Sequence, residues 1–168
     1  FQTFQAENLA SLNTPKVKYQ LKNSSKRESH YQMLKSLELT KTNHLKLFRY
    51  CQKKGIIFLS TPYDKNSAVF LNKLGCSAFK TASADIVDLE LHNYLAKTNK
   101  PVIISTGMAD LIEIEKCLKI YKKNKNYKVV LLHCVSNYPC SLHSLNLNSM
   151  TTIKKKFKCI VGYSDHSE

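Results

Sequence analysis

Val102-Ile103-Ile104-Ser105-Thr106-Gly107 decides how the chain is read. Three apolar residues follow one another without alternation, as in a strand covered on both faces. They end in two hydroxyls and a glycine. The same form recurs on either side. Upstream, Ile56-Ile57-Phe58-Leu59 passes into Ser60-Thr61-Pro62, and Ala78-Phe79-Lys80-Thr81 into Ala82-Ser83-Ala84-Asp85. Downstream, Val129-Val130-Leu131-Leu132-His133 leads to Ser136-Asn137-Tyr138-Pro139, and Cys159-Ile160-Val161-Gly162-Tyr163 to Ser164-Asp165-His166. The runs begin near residues 56, 78, 102, 128 and 159, a spacing that fits repeated strand-loop-helix-loop units and parallel pairing. Phe1 to Phe4 adds the end of a sixth strand. Parallel α/β sheets and barrels build their sites at the carboxyl ends of their strands. The polar strand ends therefore predict a ring of ligands around one pocket.

Helical segments fill the intervals. Ser29 to Lys54 is predicted as helix, with Leu45, Phe48 and Cys51 at near-helical spacing. Asp64 and Asp110 are placed to cap the helices that carry Val69, Phe70 and Leu74, and Leu111, Ile114, Leu118 and Tyr121. Met150 to Lys156 closes in lysines, which the helix dipole favours there. Glu7 to Glu28 has no sustained period and holds the turn sequences Asn13-Thr14-Pro15 and Asn23-Ser24-Ser25. It is expected to be a long excursion, of the kind that usually carries a function. A complete eight-fold barrel takes about 250 residues. The pattern thus fits either most of such a barrel or a doubly wound sheet. No GxGxxG follows a strand, which argues against a dinucleotide fold.

Composition sets the outer bounds. A chain of 168 residues can bury one core, and its apolar fraction of 43% is ordinary. It holds no apolar run long enough for a bilayer and no secretory leader, so a cytoplasmic protein without membrane contact is expected. Cys51, Cys76, Cys117, Cys134, Cys140 and Cys159 show no CxxC spacing and fall in apolar stretches, as free thiols of a reducing compartment do. The formal charge of +14 is the one anomaly. Its lysines scatter over predicted helix faces without interleaved stacking aromatics, which argues against a nucleic-acid partner.

The strand-end blocks, together with Ile104-Ser105-Thr106-Gly107-Met108 and Leu132-His133-Cys134-Val135-Ser136-Asn137-Tyr138-Pro139, resemble the sialic acid (N-acetylneuraminate) synthase family. The likeness covers nearly the whole chain, in order. It implies an incomplete (β/α)8 TIM barrel over residues 1–168, with about six of eight strands, and a C-terminal antifreeze-like domain in the full-length protein. It implies condensation of phosphoenolpyruvate with an N-acyl hexosamine, N-acetylmannosamine or a related 2,4-diacetamido sugar, with release of phosphate. It further implies a divalent metal, Mn or Mg, and a homodimer. Carried over by position, Lys80, Thr61, Ser83, Ser105, Ser136, Asn137 and Ser164 match the phosphoenolpyruvate side. Gln2, Asp85 and Tyr138 match the sugar side, and His166 matches one of two metal-binding histidines. Lys80 and Asp85 are the catalytic candidates. The chemistry suits an anion that needs a cation and several hydroxyl or amide donors.

The sequence departs from that pattern in places. Ser83-Ala84-Asp85 stands where the family has Ser-Gly-Glu, so the carboxylate is one methylene shorter. The strand-one motif with its Glu and Asn-His-Asn-Gly run is absent, as are the lysine before Phe1 and the second metal histidine, so the sequence reads as part of a longer protein. Simpler roles stand beside the functional ones. Asp85 and Asp110 serve equally as helix caps, Tyr138 as packing, and His133 as a satisfied core histidine. Two other functions compete. A 3-deoxy-aldulosonate phosphate synthase needs arginines for a second phosphate, and only Arg27 and Arg49 are present, neither at a strand end. A non-catalytic basic binding protein has the charge alone in its favour.

Overall fold

A computed structural model describes residues 1–25 and 27–167. All its strand pairs are parallel. β1 (Gln2–Thr3) lies beside β2 (Thr61–Pro62). β3 (Phe79–Thr81), β4 (Val102–Ser105), β5 (Val129–His133) and β6 (Ile160–Tyr163) form one sheet in that order. Strand order follows chain order, without the reversal at a switch point that marks a doubly wound sheet. The helices are α1 (Ala6–Leu9), α2 (Lys18–Asn23), α3 (His30–Leu37), α4 (Lys41–Lys53), α5 (Lys65–Leu74), α6 (Leu89–Lys97), α7 (Leu111–Lys123) and α8 (Asn148–Phe157). Among the described residues no helix is long and apolar enough to cross a membrane.

Local chemistry sets the helix ends. The Asp64 carboxylate accepts from the Ser67 N–H at 2.7 Å and caps α5, as expected. Asp110 accepts from the N–H groups of Ile112 and Glu113 at 2.7 and 2.8 Å, and Glu113 answers to the Asp110 N–H at 2.9 Å. That reciprocal pair is a capping box. Gly75 ends α5 at φ +102°, a conformation that costs a side-chain-bearing residue far more.

Alternation sorts the strand residues onto two faces. Phe79, Val102, Ile104 and Leu131 point to the helix layer and are buried with Leu71 of α5, Leu91 and Leu95 of α6, Ile114 and Tyr121 of α7 and Ile153 of α8. Each such side chain contributes about 1.5–3 kcal/mol by leaving water. All six cysteines are free. On the β1–β2 side, Thr3 and Ser60 face α4, where the Thr3 hydroxyl lies 2.8 Å from His44 Nε2 and 2.7 Å from the Ser60 hydroxyl. The buried polar groups satisfy one another, as burial requires.

Three expectations are corrected. Ile56 to Leu59 is not strand, and Ile56 and Ile57 are 65% and 75% exposed. The ladder pairs Gln2 with Thr61 and Thr3 with Pro62, so these residues lie outside its register; the Ile56 N–H turns back to the Cys51 carbonyl at 3.0 Å and the Leu59 carbonyl accepts from the Phe1 amine at 2.9 Å. The helix predicted from Ser29 to Lys54 is two helices. Ser29 caps α3 and Thr40 caps α4, accepting from Asn43 N–H at 3.1 Å, with Glu38 extended between them. The excursion is not wholly irregular, since it holds α2 and most of α1. Its turn closes on Lys16, whose amine bonds Ser24 Oγ at 2.9 Å, the Ser25 carbonyl at 2.6 Å and Glu28 at 3.2 Å.

Candidate active site

Lys80 is the middle residue of β3. Its neighbours Phe79 and Thr81 point to the helices, so Lys80 points to the opposite face. In the ladder it stands opposite Ile103. Ser105, two residues on, shares that face, and the Lys80 amine donates to its hydroxyl at 3.0 Å. Burial holds the Lys80 pKa below the ordinary lysine value, while Cys134 and Asp85 nearby act in the other direction. A half-buried cation beside a hydroxyl is a natural anchor for an anion.

Strict alternation would turn Ser83 away from Lys80. β3 ends at Thr81, however, and Ser83 opens a 3-10 turn (Ser83–Val87) that changes the direction of the side chain. The Ser83 hydroxyl accepts from the Gly107 N–H at 3.1 Å and lies 3.1 Å from the Cys134 thiol. Gly107 is where three strand ends meet. A Cβ built there would lie 2.7 Å from both the Cys134 carbonyl and thiol, and 3.0 Å from the Ser136 hydroxyl. Gly107→Ala is therefore expected to push the β4 and β5 loops apart, at about 1–3 kcal/mol of stability. It should also lower activity through the lost Ser83 contact; denaturation and steady-state kinetics on the full-length protein check both.

Asp85 lies in the same 3-10 turn and accepts from the Ala82 N–H at 3.1 Å, so it does cap its own turn. Burial raises its pKa to about 6; the Ala82 bond opposes this and Asp88 adds to it. Among the described residues no ion pair joins Asp85 to Lys80. Tyr63 follows β2 and is pushed up to about 12 by burial, with Asp85, Tyr138 and Tyr19 adding to the shift and a hydrogen bond to Gln2 opposing it. Gln2 and Thr61 face each other in the ladder; Thr61 is buried and Gln2 exposed.

The β5 and β6 ends close the other side. The Ser164 N–H donates to the His133 carbonyl at 2.9 Å, and Ser164 Oγ is 3.5 Å from His166 Nε2. His166 Nδ1 lies 2.7 Å from the Val135 carbonyl, which can only accept, so Nδ1 carries a proton and Nε2 is left facing the Ser164 hydroxyl. Tyr138 packs at a tilt against His166 with ring centroids 4.3 Å apart, and Tyr19 meets Tyr138 at 5.5 Å. Ser136 and Asn137 are exposed on the same loop, and Asn137 Oδ1 accepts from the Tyr138 N–H at 3.1 Å. His133 is buried with Nε2 2.7 Å from the Leu145 carbonyl, the satisfied core histidine expected of it.

The polar strand ends thus fall into two linked groups, Lys80-Ser105 with Ser83-Gly107-Cys134, and Ser164-His166-Tyr138. Among the described residues no hydrogen bond joins Lys80 directly to Thr61, Ser83 or Ser164. His166 has the tautomer of a metal ligand, anchored through its other nitrogen. Yet no three His, Cys, Asp or Glu side chains among the described residues gather as a cation's donors, where about three are usual in a catalytic site. Tyr19, Tyr63, Gly107 and Cys134 were not singled out by sequence, although Gly107 and Cys134 sit inside quoted motifs. A hollow of about 1200 Å³ lies at the opposite, amino-terminal end of the sheet between α7 and α8. Lysines line much of it, together with Glu115, Asn126 and Tyr127, at the end of the sheet away from the polar strand ends.

A sequence model described as the NeuB family matches residues 1–168. The chain is 44% identical over 169 residues to an N,N'-diacetyllegionaminic acid synthase of Campylobacter jejuni, covering 99% of this chain and 51% of that one. It is 39% identical to the protein of the same name from Legionella pneumophila, over 99% of this chain and 48% of the other. Among solved structures, an N-acetylneuraminic acid (sialic acid) synthetase of Leptospira borgpetersenii, in complex with citrate, superposes with TM-score 0.84 and 34% identity, covering 99% and 53% of the two chains. The chain spans about half the length of these relatives.

Proposed function

The chain belongs to the NeuB family, and from that premise we propose that its strand-end pocket condenses phosphoenolpyruvate with an N-acyl hexosamine to form a nonulosonic acid. The observation that carries the proposal is the half-buried Lys80 amine on Ser105, flanked by Ser83 at the ends of adjacent parallel strands. That group suits a small dianion. Two relatives are named for N,N'-diacetyllegionaminic acid, so a 2,4-diacetamido hexose is proposed as acceptor ahead of N-acetylmannosamine.

In this scheme the enol carbon of phosphoenolpyruvate attacks the open-chain sugar aldehyde and forms the new C–C bond. Lys80, Ser105 and Ser83 hold the carboxylate and phosphate in place. Water adds at C2, the phosphate-bearing carbon left cationic by that attack, Asp85 takes a proton from it, and the former aldehyde oxygen takes up a proton from solvent to become a hydroxyl. The tetrahedral intermediate then expels inorganic phosphate. His166 would be one donor to a divalent cation of the Mn or Mg type, which when bound polarises a carbonyl oxygen as a Lewis acid. The full-length protein is proposed to close an eight-fold barrel, to act as a homodimer and to reside in the cytoplasm.

The test is phosphate release by the full-length protein from phosphoenolpyruvate with 2,4-diacetamido hexoses, N-acetylmannosamine and phosphorylated aldoses, with and without Mn or Mg. Turnover with an N-acyl hexosamine is expected. Turnover only with a phosphorylated aldose, or none with any sugar, overturns the proposal.

A further inference from the structure

The excursion between β1 and α3 returns its own aromatic residue to the site. Tyr19, near the start of α2, packs at a tilt against Tyr138 (ring centroids 5.5 Å apart, planes at 49°), and Tyr138 packs at a tilt against His166 (4.3 Å, 32°). The three rings form a continuous run from the excursion to the β6 end. The turn that presents Tyr19 is preset. Lys16 is folded back and its side chain is 2% exposed, bound to Ser24, Ser25 and Glu28. No charge from this turn is therefore offered to the site by Lys16. Tyr19 itself is 39% exposed and Tyr138 45%, so the run leaves apolar ring face and two phenol groups open to a ligand. Tyr63 and Gln2 lie together at the β1–β2 end, where Gln2 pairs with Thr61 and the Tyr63 N–H bonds the Thr3 carbonyl at 3.1 Å.

This wall differs in chemistry from the Lys80 end. It offers ring faces, phenols, an amide and a carboxylate. Ring faces suit the C–H faces of a pyranose or polyol chain and the methyl of an acyl group. Phenol and amide groups suit hydroxyls and amide N–H.

We infer that Tyr19 is a specificity-determining residue for the acceptor sugar, reading its acylamino substituents through the Tyr19-Tyr138-His166 run. The inference rests on the function proposed above. The experiment uses the full-length protein with phosphoenolpyruvate and a 2,4-diacetamido hexose or N-acetylmannosamine. Tyr19→Ala is expected to raise KM for the acceptor up to about 10-fold, the scale of one lost aromatic contact. KM for phosphoenolpyruvate and the thermal midpoint should stay unchanged. Tyr19→Phe keeps the ring face and should raise the acceptor KM less than Tyr19→Ala does. An unchanged acceptor KM in Tyr19→Ala, or an equal rise for both substrates, overturns the inference while the function stands. Absence of turnover by the wild type overturns both.

Discussion

Lys80→Met is expected to lower kcat/KM for phosphoenolpyruvate by roughly 10- to 100-fold, the worth of about 1.5–3 kcal/mol for hydrogen bonds to a charged group. Lys80 sits on the face of the sheet opposite Phe79 and Thr81 with its amine on Ser105, and burial already depresses its pKa. Holding a cation there is unfavourable until an anion arrives. Methionine has a comparable stem and no charge, so it removes the anion's partner without opening a cavity. The folded protein should thus be as stable as the wild type or slightly more so. Kinetics and thermal melting on the full-length protein check the two halves together. A kcat/KM within about three-fold of wild type would leave Lys80 as an ordinary surface-stem lysine.

The winding of the chain was legible because it depends on repetition. Unbroken apolar runs with polar ends state that both faces of a strand are covered and which end is functional, and β3 to β6 follow those runs within a residue or two. The caps at Asp64 and Asp110 were legible for a similar reason, since each lies directly before its helix. What failed depended on partners far away in sequence. Ile56-Ile57 has the composition of a strand, but pairing is decided by what lies opposite, and the ladder with β1 reaches only Thr61 and Pro62. The break between α3 and α4 was written in Thr40, a cap residue hidden inside a helical pattern. At the site, Lys80 and Ser105 follow from parallel alternation in register. Ser83 does not, because its direction is set by the 3-10 turn that follows β3. The convergence on Gly107 is a close approach of three loops, which no single segment encodes. Tyr19 was invisible as a site residue because its segment has no period to place it in space.

Asp85→Asn separates the two roles the structure allows that carboxylate. As a cap, Asp85 accepts from the Ala82 N–H, and an asparagine oxygen accepts equally well, so the turn should survive. As a proton acceptor it has no amide substitute, and kcat is expected to fall by about 100-fold. The wild-type rate should rise with pH through about 6, where burial places the Asp85 pKa, and the variant's should not show that step. Stability runs the opposite way. A carboxyl whose folded pKa is raised binds its proton more tightly in the native state than in the unfolded chain. Its contribution is therefore fully present below about pH 4 and is lost as pH rises through about 6. Asparagine has no such dependence. The stability of wild type relative to the variant should fall across that window by no more than about 3 kcal/mol, set by the shift from 3.8 to about 6. Matched denaturation at pH 4 and pH 7 measures that difference. A variant that loses the stability slope yet keeps its kcat makes Asp85 a buried cap only; one that loses both makes the same carboxylate the site's base.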